Sequence, residues 1–410
     1  MSNSPVFVVG TPRSGTTLLA AILANHSAYS CGPETHFFSC LTKEIEKKLL
    51  DQKNWPFYAA NFICSLKLGN EYVYKLYSLS KEEIIEFLKN RKPSVPAVLE
   101  ALTLQYANKQ RKHSWIEKTP RHLLFIPQIL KYFPSAKIIR IIRDCRDVSL
   151  SLSKVPWGYK TLLQGVYRCW LDEIYAQKFS HSYFLVKFED LLMSPEKTLK
   201  NICNFLGVPY EPSMLQYYNT SSRLCSEKEW WKNLVKEPIN VSRAFRWKKE
   251  LDEKNQLMLT YFARNLLINH GYETDFVPKP KQTILLFPVN FHFLESYEEL
   301  FLKFTHQKIR VLGCPFLGLL RDALSYEKPS EIIFKMPLLI SNIDNSFSSK
   351  DRAVTMLSFL NLVSSLLRNK ELNLYYVDHT PATNNLGVLD HILNRFLIKF
   401  INSAPYSLLS

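Results

Sequence analysis

The sequence predicts an α/β fold: a P-loop-like parallel sheet flanked by helices, with a smaller C-terminal α/β or mainly helical domain. Three observations predict it. Val6-Phe-Val-Val9 is a continuous apolar run, which suits a strand buried on both faces of a parallel sheet. It runs straight into Gly10-Thr-Pro-Arg-Ser-Gly-Thr-Thr17, a phosphate-binding loop that opens a helix. Further apolar runs, Lys137–Ile142 and Tyr183–Phe188, alternate with helical stretches, the pattern of strand–helix crossovers.

The elements follow in order. Thr16 to Asn25 reads as the first helix, with Leu18, Leu19, Ile22 and Leu23 on its core side. Residues 36–112 read as mostly helical, and Ser80-Lys-Glu-Glu83 is a capping box for one of these helices. Trp115-Ile-Glu-Lys118 is a short strand ending at Thr119-Pro120. Lys137–Ile142 is a buried strand, followed by a helix from about Arg146. Ser194 as N-cap, Pro195 at the first helical position and Gly207 after the last turn bracket another helix. Val277-Pro-Lys-Pro-Lys281 is a stiff connector, which divides the chain into a domain over 1–275, a linker at 276–281 and a second domain over 282–410. Beyond the connector, Thr283–Phe287 and Leu372–Val377 read as strands.

The 410 residues carry a formal net charge of +15, which implies an anionic partner. No aromatic RNA-binding motif, zinc-finger spacing or long basic block is present, so nucleic acid is not the expected partner. The eight cysteines form no CxxC pair, so they read as reduced and buried rather than as zinc ligands or a redox couple. Met1–Pro5 enters the first strand without a basic, apolar leader, and the longest lipid-like stretch, 353–367, is shorter than the roughly 20 residues a spanning helix needs. A cytoplasmic protein without a transmembrane segment is the expectation.

Four islands can carry chemistry. In the loop, Gly10 and Gly15 keep Walker A spacing, but Thr16 stands where the lysine should be and the positive charge sits at Arg13. Such a loop still cradles an anion, with backbone N–H groups at a helix start, hydroxyls from Ser14, Thr16 and Thr17, and the Arg13 fork. It is poorly equipped for a metal-bound triphosphate, and no metal is expected. The second island, Gly32-Pro-Glu-Thr35, places Glu34 where a carboxylate can reach over the loop mouth and take a hydroxyl proton; it can equally be a helix-start acid. The third, Glu117-Lys118-Thr119-Pro120, points Lys118 from a strand end into the crevice where α/β folds bind ligands. The fourth joins Arg143, just past a strand's carboxyl end, to Ser151 in the next helix as a second anion site; Arg143 can instead pair with Asp147.

Two separated anion sites imply a nucleotide with separated phosphates, and the combination resembles the sulfotransferases that use 3′-phosphoadenosine 5′-phosphosulfate (PAPS). Pro12-Arg-Ser-Gly-Thr-Thr-Leu18 is similar to their 5′-phosphosulfate loop. Arg143 and Ser151 match their 3′-phosphate pair, and Val186–Leu191 and Asn204–Gly207 also look like that family. The resemblance covers about residues 5–275 and is closest to the tyrosylprotein sulfotransferase-like branch, on Gly32–Thr35; this chain reads Glu-Thr-His where the tyrosyl enzymes read Glu-Thr-Arg. It implies PAPS as co-substrate and a hydroxyl-bearing acceptor (a glycan, a small molecule or tyrosine), with an anionic acceptor suited to the basic chain. It also implies Glu34 as base, Lys118 and Arg13 on the leaving oxygen, Arg13–Thr17 on the 5′-phosphosulfate, and Arg143 with Ser151 on the 3′-phosphate. Trp157, Tyr159, Trp230 and Trp231 can stack on an acceptor ring, and Glu237–Trp247 is expected to fold back towards the donor. An ATP- and Mg²⁺-dependent phosphotransferase with a degenerate loop and a non-catalytic nucleotide-binding protein stay open as alternatives.

Overall fold

A computed structural model of the chain describes residues 4–220, 224, 229–274 and four further strands at 282–286, 309–313, 331–335 and 373–377. The expected connector at 276–281 lies outside the described residues. The chain divides into two compact units, residues 1–158 with 168–251 and residues 159–167 with 252–410.

The first unit is built on β1 (Val6–Gly10), β2 (Tyr29–Cys31), a hairpin of β3 (Lys67–Leu68) and β4 (Glu71–Tyr72), β5 (Ser114–Lys118), β6 (Lys137–Ile142) and β7 (Phe184–Lys187). Five of these form one sheet in the order β2-β5-β1-β6-β7, and every pairing in it is parallel. β1 occupies the middle and all its residues are buried, as its unbroken apolar run requires. Its register aligns Val8 with Lys118 on one side and Gly10 with Ile141 on the other. The carboxyl ends of β5, β1 and β6 therefore lie side by side, which is where open α/β sheets bind ligands.

The helices are α1 (Thr16–Ala24), α2 (Phe37–Cys40), α3 (Lys43–Leu49), α4 (Phe57–Ser65), α5 (Val73–Leu76), α6 (Lys81–Lys89), α7 (Val95–Lys109), α8 (Ile126–Tyr132), α9 (Cys145–Leu152), α10 (Leu162–Gln177), α11 (Phe188–Met193), α12 (Pro195–Leu206), α13 (Trp247–Glu250) and α14 (Glu253–Asn269). Strand alternation sends successive β1 side chains to opposite faces. Phe7 and Val9 join a core with residues of α4, α6 and α7, while Val6 and Val8 join another with α1, α11 and α12. The expected capping box forms, with Ser80 accepting from the Glu83 N–H and Glu83 from the Ser80 N–H. Gly207 closes α12 in the left-handed conformation (φ +78°), although Ser194 makes no side-chain cap bond at its start.

The stretch 36–112 is mostly helical as expected, broken by the β3–β4 hairpin that turns at Gly69-Asn70. Two local expectations are corrected. The last sheet strand ends at Lys187, since Phe188 turns inward at the start of α11. Leu18 is only partly buried, whereas Leu19, Ile22 and Leu23 are in the core.

In the second unit α14 is capped by Asp252, which accepts from the Asn255 N–H. There β8 (Gln282–Leu286) pairs in parallel with β9 (Ile309–Gly313), and β10 (Glu331–Lys335) with β11 (Asn373–Val377). Among the described residues no helix is long and apolar enough to cross a membrane.

Candidate active site

The loop after β1 is shaped by two left-handed residues, Arg13 (φ +74°) and Gly15 (φ +97°). Ser14 N–H donates to the Thr11 carbonyl at 3.1 Å and tightens the turn. Only glycine fits at 15, because a Cβ there would sit 2.3 Å from a ring carbon of Phe188. Gly15 caps α1 without a side chain, so the first N–H groups of the helix keep no intrahelical partner and suit an anion.

Around this helix start opens a cavity of about 600 Å³, lined by Arg13, Gly15, Thr16, Thr17, Glu34, Arg143 and Ser151 among others. The sheet thus brings together residues from the ends of β1, β2 and β6. Two expected site residues stand differently: Ser14 (1% exposed) and Lys118 (0%) are buried and do not line the cavity.

One wall of the cavity is held by arginines. Arg13 Nε donates to Ser151 Oγ at 3.1 Å, so the loop and α9 are linked through two expected donor contacts. Arg143 donates through Nη2 to Asp147 at 3.1 Å and to the Arg243 carbonyl at 2.7 Å, and its guanidinium lies over the Phe188 ring at 4.5 Å. Arg143 thus pairs with Asp147, one of its two sequence readings, and it also lines the cavity. The segment 237–247 folds back as expected, with Asn240, Arg243 and Arg246 on the cavity. Trp247 is instead buried, its N–H donating to Asp147 at 2.8 Å and its indole to Asp144 at 3.1 Å.

Glu34 sits at the opposite wall. Lys118 Nζ donates to Glu34 Oε1 at 2.7 Å and Lys232 Nζ donates to the same oxygen at 2.8 Å. His36 Nε2 stands 3.8 Å from the other oxygen, Oε2. Burial pushes the Glu34 carboxyl up, but Lys118, Lys232 and His36 outweigh it and hold the group well below the usual carboxylate range. Burial dominates at His36 and lowers its pKa despite the pull of Glu34.

Sequence reasoning missed three supports of this site. Glu117 is fully buried and accepts from Thr35 Oγ1 at 2.8 Å, Thr119 Oγ1 at 2.6 Å and His122 at 2.7 Å. Thr119 Oγ1 in turn accepts from the Thr35 and His36 N–H groups, and His122 Nε2 from that of Phe38. His122 Nδ1 thus carries the proton given to Glu117, and the network fixes the loop that presents Glu34. Lys232, the third, lies on a 3₁₀ turn at Trp230–Lys236 with no periodicity to advertise it. Trp157 and Trp231 line the cavity edge-on to each other at 6.3 Å, while the Trp230 side chain lies outside the described residues.

The residues fit a nucleotide carrying separated phosphates. Arg143 Nε is buried with no hydrogen-bond partner among the described residues. Arg13 is pulled down to about 10 by burial, then by Arg143 and Arg246, against the attraction of Glu34. Both mark positive charge that an anion would relieve. Among the described residues no group of three or more His, Cys, Asp and Glu could hold a metal ion.

The model of the sulfotransferase family matches residues 5–212, half of the chain and all four islands. The chain belongs to the sulfotransferase family. Sulfuryl transfer is its chemistry, and PAPS is the donor the family implies. Protein-tyrosine sulfotransferase 1 of Danio rerio is 24% identical over 258 residues, 59% of this chain and 65% of that protein. Omega-hydroxy-beta-dihydromenaquinone-9 sulfotransferase Stf3 of Mycobacterium bovis is 24% identical over 260 residues, 53% and 67% of the two chains. The matched part is thus less than two thirds of the zebrafish protein's length. Among solved structures, the sulfotransferase domain of the Synechococcus PCC 7002 olefin synthase is 22% identical with a TM-score of 0.46, covering 67% of this chain and 97% of that one.

Proposed function

We propose that the cavity binds PAPS between the Arg13 loop and the Arg143–Ser151 pair, and that Glu34 takes the proton of an acceptor hydroxyl. One observation carries this reading: Arg13, Glu34, Arg143 and Ser151, from separate elements, share one cavity. When bound, PAPS supplies the sulfuryl group and leaves adenosine 3′,5′-bisphosphate.

The roles follow from position. Thr16, Thr17 and the first N–H groups of α1 grip the 5′-phosphosulfate, with Arg13 beside the leaving oxygen. Arg143 and Ser151 grip the 3′-phosphate. Lys118 and Lys232 both bond Glu34 Oε1, which leaves Oε2 for the hydroxyl. On this reading Lys118, which is fully buried, serves as Glu34's counter-ion rather than in the leaving-oxygen role that the resemblance implied.

The acceptor bears a hydroxyl. The named relatives suggest substrates as different as a protein tyrosine and an ω-hydroxylated menaquinone, and the hydroxyl is what these share. Arg121, which also lines the cavity, suits an acceptor with a negative group.

Calorimetry tests the reading directly. Adenosine 3′,5′-bisphosphate should bind without metal and ATP·Mg²⁺ should not compete. With PAPS, a panel of tyrosyl peptides, long-chain alcohols and glycans should yield a sulfated product. Preference for ATP·Mg²⁺, or binding of neither nucleotide, would overturn it.

A further inference from the structure

We propose that Lys232 grips the non-bridging oxygens of the sulfuryl group during transfer, making it a catalytic residue of this site. The inference rests on the sulfuryl-transfer reading above and adds a group that the sequence did not offer.

In-line transfer sets the attacking and leaving oxygens on opposite sides of the central atom, as in phosphoryl transfer. A hydroxyl giving its proton to Glu34 lies about 2.6–3.2 Å from that carboxylate. The sulfur is one bond further on, and the leaving oxygen lies beyond it, towards the loop and Arg13. A cation beside Glu34 therefore meets the equatorial sulfuryl oxygens and not the leaving oxygen.

Two lysines stand beside Glu34, at 2.7 and 2.8 Å from Oε1. Only Lys232 lines the cavity; Lys118 is fully buried beneath it. Lys232 also donates to Glu229 at 2.6 Å. An ammonium has three donors, so two are spent on carboxylates and one remains for a sulfuryl oxygen. The segment is docked against the donor loop, because the Trp231 carbonyl accepts from Arg13 Nη2 at 3.0 Å. One contact thus sets the distance between Lys232 and the loop. Burial works against the ammonium, but Glu34 and Glu229 outweigh it, so Lys232 is charged at neutral pH.

Transfer forms one bond, from the acceptor oxygen to sulfur, and breaks one, from sulfur to the bridging oxygen. The electron pair stays on the 5′-phosphate and the hydroxyl proton goes to Glu34 Oε2. Lys232 neither gives nor takes a proton; it offsets the charge on the group in flight.

The test compares the affinities of PAPS and adenosine 3′,5′-bisphosphate by calorimetry without acceptor, in wild type, Lys232→Ala, Lys232→Arg and Lys118→Met. The two nucleotides differ by the sulfuryl group alone. Lys232→Ala should weaken PAPS about tenfold or more while shifting the bisphosphate less than about twofold. Lys232→Arg should restore most of the loss, and Lys118→Met should leave the ratio near that of wild type. Retained bisphosphate binding also certifies that each variant is folded. An unchanged ratio in Lys232→Ala, or a change that follows Lys118→Met instead, would overturn the inference alone. A wild type that binds neither nucleotide would overturn the sulfotransferase site and the inference with it.

Discussion

Lys118 Nζ lies 2.7 Å from Glu34 Oε1, joining residues 84 positions apart across the carboxyl ends of β5 and β2. The neighbour Glu117 points the other way along the strand and bonds Thr35, the residue after Glu34. Consecutive residues of one strand therefore hold the Glu34 loop twice, through its carboxylate and through its backbone turn. This double hold explains why both side chains are fully buried although both are ionisable.

Removing Lys118 should move the enzyme's acid limb. Glu34 is a depressed carboxylate, so its contribution to stability is present above the unfolded value of about 4.3 and is lost as pH falls through the folded value. Lys118→Met deletes the strongest of its lowering partners, so the folded value rises. The fall in kcat/KM on acidification should begin at higher pH than in wild type, and acid unfolding should follow it upward. A pH–rate profile with a parallel acid denaturation series measures both; coincident curves would show that Lys118 does not set the state of Glu34.

Glu34→Gln should separate chemistry from binding. The amide keeps the shape but accepts no proton, and its carbonyl oxygen can still accept from Lys118 and Lys232. Turnover should fall by roughly 10²-fold or more. Affinity for adenosine 3′,5′-bisphosphate should stay within a few-fold, because the donor contacts lie on the loop and α9. Single-turnover rates and calorimetry on the same preparation decide it, and a variant with near wild-type turnover would remove Glu34 from the base role.

Arg143→Ala should cost donor affinity. Arg143 holds Asp147 and the Arg13 and Arg243 carbonyls while it lines the cavity. A charged hydrogen bond of this kind contributes roughly 1.5–3 kcal/mol, so bisphosphate binding should weaken by about that amount. Part of the effect can come through Asp147, whose carboxyl burial already pushes up and which would lose its cation. Arg143→Ala with Asp147→Asn removes that complication: the affinity loss should persist in the double variant. Recovery of affinity there would make Arg143 a brace and not a ligand.

The legible parts of this molecule were those encoded locally. Loop, apolar strand and helix start are adjacent in sequence, so Arg13–Thr17 could be placed before any contact was known. The same holds for the capping box of α6 and the glycine that closes α12. Lys118 and Arg143 were legible because each stands at a strand end, and Glu34 because it comes just past the helix that the loop opens. Lys232 was not, because its role depends on a segment brought back across 198 positions to Glu34. His122 carries no local signal, and only the fold shows its ring linking Glu117 to the Phe38 N–H. The β3–β4 hairpin did carry a signal, the Gly69-Asn70 pair, which was outweighed by the helical stretches around it.

Gly15→Ala tests the tightest point of the loop. The substitution is strained twice. Gly15 has φ +97°, where a Cβ costs roughly 1–2 kcal/mol, and that Cβ would meet the Phe188 ring at 2.3 Å. Overpacking of this kind costs about 1–3 kcal/mol. Phe188 also supports the Arg143 guanidinium, so a displaced ring disturbs both the loop and Arg143. The variant should lose roughly 2–5 kcal/mol of stability in chemical denaturation and bind the bisphosphate more weakly. Phe188→Leu separates the two strains, since it opens space for the new methyl but leaves the backbone angle as it was. In a double-mutant cycle the steric part should be recovered and the conformational part should remain. Strict additivity of the two substitutions would mean that Gly15 is required for its backbone angle alone.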